Sequence, residues 1–479
     1  MNIKKLTTYS RTHEKVLESL FYFFTFAAIA VFALLQPFGE PPDEINRYKV
    51  AQYICIHGKL PVGADPEVLI GGYGASYAFQ PILSYIIMGW VMRFFFQFTY
   101  NSYLLAYSAR FVNVIIGVCM AFFVRKISKE VFDKPSMQWL FSLLVVFLPQ
   151  NLFLHSYVNT DSMAALATAI IIYACIRGCK DCWSTRTCIT LSLGIILCAL
   201  SYYNAYSIIL CSILLFFFCF IKKESRGNAK AHYSLQWKPL LQKGFFISVI
   251  VLIGIGWWFI RNAVLYDGDF IGMTARMKCA VETSIPSYSP DVKETLQSTG
   301  HSLAYLFRET LFLHTLYESF IATFGTMNVF TYPFIYTAYR VVFVGCLLCL
   351  SIPAKQTGTT YLKNFSKSTK TFFNLLMLLD MIIVASLCVW YSYSWDYQPQ
   401  GRYVLPLLIP LMYFLSIGIA KLDGFLCLHV VNGRTISYII QTILITFVIL
   451  ALAATMLGAV IPYYQSVPNW LNGAIESLT

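Results

Sequence analysis

The chain has 479 residues, 58% of them hydrophobic and 12% charged, with a mean hydropathy of +0.63 and a formal net charge of +12. A soluble globular domain carries roughly twice that charged fraction, so a water-soluble globule built around one core is excluded. A nucleic-acid surface is excluded as well: 23 of the 35 Lys and Arg residues sit in six short segments between apolar stretches, the signature of loops held on the cytoplasmic side of a bilayer.

In chain order, apolar windows long enough to cross a ~30 Å hydrocarbon core as helix cover residues 17–36, 103–124, 137–149, 161–176, 188–202, 205–221, 244–260, 332–352, 372–395, 403–420 and 436–461. Backbone hydrogen bonds inside a bilayer must be satisfied within each span, so the expected fold is all-α, a helical bundle. The first window follows a basic start and ends in QPFGEPP rather than a small-x-small cleavage site, which reads as a retained anchor.

One further segment, 78–98, is equally apolar. If it crossed, the basic loop 125–134 and every later loop would change sides. Kept on the surface, all six basic loops (4–15, 125–134, 177–186, 222–243, 355–370 and 421–434) face the cytoplasm. Pro81, Arg93 and the aromatics Tyr85, Trp90, Phe94, Phe95 and Phe96 suit an interfacial or re-entrant helix. The expectation is therefore about eleven transmembrane helices, N-terminus inside and C-terminus outside. Residues 1–479 form a single polytopic membrane domain with two long exoplasmic loops, 38–102 and 261–331. A semi-apolar piece of the second, 303–330, also reads as interfacial.

Most of the 14 cysteines lie in apolar spans, where they act as small hydrophobes. Cys179 and Cys182 form a lone CxxC without the second pair that a zinc site needs.

Chemistry concentrates on the exoplasmic face. In GEPPDEINRYK two prolines stop the first helix, and Asp43 and Glu44 stand where the next begins. Carboxylates at a bilayer surface mark a functional site, while the local alternative is a helix cap with a salt bridge to Arg47 or Lys49. In HSYVNTDSMAALA, Asn159 or Thr160 can cap a helix whose first turn holds Asp161, on the same face as Asp43. Arg110, Arg261, Arg308 and Arg402 map there too. They either snorkel toward headgroups or clamp a phosphate at headgroup depth. Asp267-Gly-Asp269 reads as a turn, with ligation of a divalent cation as the alternative.

These residues carry a resemblance. PPDE followed by a helix and YAFQPILSY, then ARFVNVIIG, VNTDS, RNAVLYDGDFIG and QGRYVLPLLIPL, together resemble GT-C superfamily membrane glycosyltransferases. They are closest to a bacterial polytopic GT-C-like family related in plan to protein mannosyltransferases and aminoarabinose transferases. The match runs over residues 39–410.

The resemblance implies an inverting glycosyltransferase in the bacterial plasma membrane, acting on its extracytoplasmic side. It would move a sugar from a polyprenyl-phosphate donor to a glycan, lipid or protein acceptor of the cell envelope. Asp43 would be the general base, and the adjacent Glu44 would orient donor or acceptor. Asp161 would bind sugar hydroxyls or position the acceptor. Arg402, with Arg261 as second choice, would stabilise the leaving phosphate, and Arg110, Tyr403 and Gln400 would complete the substrate site. No metal or other cofactor is expected, Asp267 and Asp269 being the exception weighed. The chain also has no large C-terminal soluble domain of the kind oligosaccharyltransferases use, which argues against peptide sequon recognition.

Two other classes remain open at this point. A transporter or flippase of lipid-linked glycans predicts polar residues deep in several spans, of which Asp380 is the clearest. A ligase of lipid-linked glycans would use arginines and a histidine, with His57, His155, His301 and His314 as candidates.

Overall fold

A computed structural model describes residues 3–224, 232–358 and 360–466. The helices are α1 (Ile3–Leu35), α2 (Glu44–His57), α3 (Leu83–Phe96), α4 (Ser102–Val131), α5 (Pro135–Val146), α6 (Pro149–Leu154), α7 (Asp161–Asp181), α8 (Thr185–Ala199), α9 (Tyr206–Cys219), α10 (Trp237–Leu265), α11 (Met273–Thr283), α12 (Leu303–Arg308), α13 (Phe312–Ala322), α14 (Pro333–Cys349), α15 (Ala354–Thr357), α16 (Lys367–Ser394), α17 (Leu408–His429), α18 (Gly433–Thr455) and α19 (Ile461–Ser466). Among the described residues sheet is confined to two antiparallel ribbons, β1 (Ile221–Glu224) with β2 (His232–Leu235) and β3 (Thr323–Phe324) with β4 (Val329–Phe330).

Every expected span coincides with helix. Among the described residues seven helical segments are long and apolar enough to cross a membrane, and α3, α5, α8, α9 and α14 are shorter apolar helices. Two windows are broken for local reasons. The window 137–149 divides into α5 and α6 at Pro149, which cannot donate to a preceding turn. The window 403–420 begins as a 3-10 segment, Gly401–Leu407, with Pro406 inside it. The piece 303–330, expected to be one interfacial element, folds as α12, α13 and the β3–β4 ribbon.

Helix direction follows from two arginines on α4. Arg125 donates from Nε to Glu18 midway along α1 (2.9 Å) and stacks 3.9 Å over the Trp139 ring. Arg110, some 22 Å back along the same helix, donates to the carbonyls of Ala33 (2.7 Å) and Gln36 (2.8 Å) at the end of α1. So α1 and α4 are antiparallel, and the chain re-enters the bundle at the end where α1 left it. α2 and α3 form a side branch at that end, tied by Arg93 Nη1 to the Cys55 carbonyl (2.7 Å). α3 has 14 residues, about 21 Å of helix, and exposes Trp90, Phe94 and Phe95.

The basic loops meet at the opposite end. Lys129 bridges Glu14 (2.9 Å) and Glu18 (2.6 Å), Lys180 bridges Glu130 (2.8 Å), Lys363 bridges Asp133 (2.6 Å), and Lys134 reaches Asp423 (2.7 Å). Arg226 and Lys230 of the loop 222–243 lie outside the described residues, as does the C-terminal stretch expected on the other side.

α7 and α17 form the buried centre of the bundle. Close approach there needs glycine: a Cβ on Gly418 of α17 would stand 1.9 Å from the Cys346 carbonyl oxygen of α14. Gly418→Val should therefore destabilise the protein by at least ~1–3 kcal/mol. The check is the thermal unfolding midpoint of the detergent-solubilised protein, which should drop, while valine at Gly345, where a Cβ has no neighbour within 4 Å, leaves it nearly unchanged.

Candidate active site

At the end of the bundle where α2 begins, adjacent carboxylates are separated into different environments. Glu44, the first residue of α2, is fully buried. Arg110 meets it with two parallel bonds, Nε to Oε1 at 2.8 Å and Nη2 to Oε2 at 2.6 Å. The backbone N–H groups of Val158 (3.1 Å) and Gly39 (2.9 Å) donate to the same oxygens. Arg110 spends its remaining donors on Ala33, Gln36 and Pro37. Both groups are thus saturated by the protein, so the structure moves Glu44 and Arg110 from the expected substrate site to the framework beneath it.

Asp43 faces the other way. Its backbone is left-handed (φ 63°), and its side chain keeps 36% exposure. Asp tolerates this region better than most residues with a Cβ, because its short polar side chain bonds locally, yet such a conformation persists only where the surroundings impose it. Arg402 Nη2 lies 2.6 Å from Asp43 Oδ2 and Arg47 Nη2 3.9 Å from it. Burial raises the carboxyl's proton affinity. The charges of Arg402 and Arg47, with hydrogen bonds from Arg402 and Tyr77, outweigh burial and hold Asp43 below the ordinary carboxylate range.

Arg47 continues the chain of charges. Its Nη1 is 2.6 Å from Asp161 Oδ2, and its guanidinium lies 5.1 Å from the Tyr77 ring centroid. Asp161 opens α7, with Asn159 Oδ1 accepting the Ser162 N–H (2.9 Å). The result is an alternating line, Asp161–Arg47–Asp43–Arg402, in which all but Asp43 are buried. Asp161 Oδ1, Arg47 Nε and Arg402 Nε are buried with no hydrogen-bond partner among the described residues. Buried polar atoms are normally satisfied, so these three point to a polar ligand.

Arg402 is delivered by the 3-10 segment and held by the Pro42 carbonyl (3.3 Å) and the Tyr403 hydroxyl (3.2 Å), with the Tyr403 ring 5.0 Å away. Gln400 donates to Gln398 Oε1 (2.6 Å) and keeps a buried Oε1 without a partner among the described residues.

Other expected residues fall outside this line. Arg261 Nη2 donates to the Pro61 carbonyl (2.6 Å) and stacks on Trp258, holding the loop after α2. Arg308 is exposed at the end of α12. Lys49 turns to the Leu69 carbonyl (3.0 Å). Asp269 is occupied by the N–H groups of Gly272 (2.9 Å) and Ala275 (3.0 Å) at the start of α11, and Asp267 takes a left-handed turn conformation (φ 51°). This is the turn reading of Asp267-Gly-Asp269. The ligase candidates are scattered: His57 on Glu67, His155 beside Met120, His301 on the Tyr305 ring and His314 on Glu318. Asp380 is buried deep in α16, taking the Ser207 hydroxyl at 2.6 Å. Cys179 faces Cys219 (3.5 Å) rather than Cys182.

Sequence reading missed Glu40, which is buried beside Asn328 and Tyr463. Burial raises its carboxyl despite hydrogen bonds from both and the charge of Arg110. Tyr77 was missed too. It opens YAFQPILSY, in a 3-10 turn just before α3, where the motif alone gave no side chain a role.

No family model and no curated protein matches the sequence. Solved structures do match. The chain superposes on ArnT of Cupriavidus metallidurans, bound to undecaprenyl phosphate, over 93% of its own length and 76% of that protein's, with TM-score 0.52 and 12% identity. It superposes on AglB, the oligosaccharyltransferase of Archaeoglobus fulgidus in complex with an inhibitory peptide and a dolichol-phosphate, over 91% of its own length, with TM-score 0.50 and 13% identity. It spans 56% of that chain. The chain shares the fold of these two membrane proteins.

The two adjacent acids should separate experimentally. Glu44→Ala leaves Arg110 buried without its carboxylate and should cost about 3–5 kcal/mol, seen as a large drop in unfolding midpoint. Asp43→Asn removes a charge at a partly exposed position and keeps a polar side chain facing Arg402, so it should lower the midpoint less than Glu44→Ala does.

Proposed function

We propose that this protein is a glycosyltransferase that moves a sugar from a polyprenyl-phosphate-linked donor to an acceptor on the exoplasmic face of a membrane. The observation that carries the reading is the partly exposed Asp43, held in a left-handed backbone 2.6 Å from the buried Arg402. The fold shared with two proteins bound to lipid-linked phosphates supports it. The clustering of the basic loops at the opposite end, where the positive-inside rule expects the cytoplasm, supports an exoplasmic position for this end of the bundle.

In the reaction, Asp43 takes the proton of an acceptor hydroxyl as that oxygen attacks the anomeric carbon. The bond from that carbon to the donor phosphate breaks, and the phosphate leaves with the electron pair. Arg402 stabilises the charge that develops on it, in a site where a fixed guanidinium needs no reorganisation. Attack opposite the leaving group inverts the anomeric centre. Asp161 Oδ1 accepts a sugar hydroxyl, and Arg47 keeps the two acids in register. Tyr403 and Gln400 border the phosphate. No metal enters this scheme.

Asp43→Asn should lower transfer of labelled sugar in proteoliposomes by ~10²–10⁴-fold at normal expression, and normal turnover would remove Asp43 from the role of base. Arg402→Ala should raise KM for the donor more than for the acceptor. An equal loss on both would mean that Arg402 only supports folding.

A further inference from the structure

Resting on the reading above, the pairing of Asp43 with Arg402 has a consequence for the order of events. One guanidinium nitrogen, Arg402 Nη2, is bonded to the carboxylate that must act as base, while Nε of the same side chain is buried and without a partner among the described residues. The strongest geometry for Arg on a phosphate is bidentate, through two adjacent N–H groups such as Nε and Nη2. Nη2 gives its two hydrogens to Asp43 and to the Tyr403 hydroxyl (3.2 Å), so Arg402 reaches that geometry by withdrawing one of them, and Asp43, the anion of the two, is the partner that a phosphate replaces.

We propose that Arg402 is shared between Asp43 and the donor phosphate, so that donor binding uncovers the base and the acceptor reacts only in the donor-loaded site.

Three features of the structure support such an exchange. Asp43 is the one member of the charge line with substantial exposure, so its side chain has room to turn. It is not abandoned when Arg402 leaves, because Arg47 stands 3.9 Å away on the next turn of α2, anchored by Asp161. Tyr77, beneath Arg47, remains as its hydrogen-bond donor. The four groups of the line also sum to zero charge. An arriving phosphate therefore takes Arg402 by substitution and gives back a carboxylate with higher proton affinity. A base bound tightly to a guanidinium is a poor proton acceptor, and losing that partner moves it toward the range where general bases work. The same contact steadies the empty site: without a carboxylate on Arg402 it would hold an unpaired buried cation, at a cost in stability.

The test reads Asp43 directly. Full-length protein in nanodiscs is treated with a water-soluble carbodiimide and an amine, which label protonated carboxyls, and labelling of Asp43 is followed by mass spectrometry with and without undecaprenyl phosphate. Labelling of the wild type should rise about tenfold with the lipid, the change for one unit of proton affinity. Arg402→Gln, which preserves a polar side chain, should show the raised labelling without lipid and no further response. Wild-type labelling that stays level or falls while native mass spectrometry shows the lipid bound overturns the exchange. So does Arg402→Gln labelling no higher than wild type. If the lipid does not bind at all, the donor reading fails, and the Arg402→Gln arm still decides whether Arg402 masks Asp43. In kinetics, the acid limb of kcat should lie at higher pH than that of kcat/KM for the donor, since the first reports the loaded site and the second the free one.

Discussion

The buried pair of Glu44 and Arg110 is the contact on which this end of the molecule depends. Moving two charges out of water is unfavourable unless each is matched and hydrogen-bonded. Here both are: four donors reach the carboxylate, and the guanidinium closes the last carbonyls of α1. Those carbonyls carry the negative end of the α1 dipole, so the cation stabilises a helix terminus as well as the acid. Four pieces of chain are joined in one arrangement: the end of α1, the start of α2, the middle of α4 and the turn before α7. Slippage of any one leaves a charge unpaired.

That rigidity explains why Asp43, one residue away, can be strained and partly exposed. Its carbonyl accepts the Arg47 N–H in the first turn of α2 (3.0 Å), and its backbone is set by Glu44 on one side and the Pro41–Pro42 pair on the other. The strain is of the order of 1–3 kcal/mol, small beside the loss incurred if Glu44 were pulled out of place. The side chain is therefore presented rather than chosen by its own contacts, as a reactive group on a rigid support should be.

Much of this was legible in the sequence, for physical reasons that differ by element. Hydropathy located the apolar helices, seven of them among the described residues long enough to cross a membrane, because lipid imposes one pattern on all of them. Charge parity kept residues 78–98 from crossing, and the antiparallel α1 and α4 agree with it. Asp43, Asp161 and Arg402 converge as their shared face required. The local salt bridge of Asp43 with Arg47 and its partnership across the bundle, posed as alternatives, coexist, since one arginine serves both acids. What sequence could not show is which of two adjacent acids points inward. In a helix start with a left-handed cap the ordinary angular spacing fails, and burial of Glu44 depends on Arg110, 66 positions away. Arg261 was out of reach for a similar reason. Its position at the end of a span suits a phosphate site equally well, and a carbonyl at Pro61 in a patternless loop claims it instead.

Arg402 owes its position to an irregularity that hydropathy smooths over. A 3-10 segment rises about 2.0 Å per residue against 1.5 Å in α-helix, so the seven residues Gly401–Leu407 reach roughly 3–4 Å further than α17 would if it continued unchanged. Pro406 removes one donor from that stretch, and Gly401 lets it press against α13, where a Cβ would stand 2.2 Å from the Phe320 nitrogen. Non-helical backbone at the edge of a membrane is tolerated where protein buries it, and here Ser319 Oγ takes the freed Gly401 N–H at 2.6 Å. A straight helix would leave the guanidinium short of Asp43. The bundle thus reaches its reactive carboxylate by breaking one helix at the point where the neighbouring element can satisfy the break.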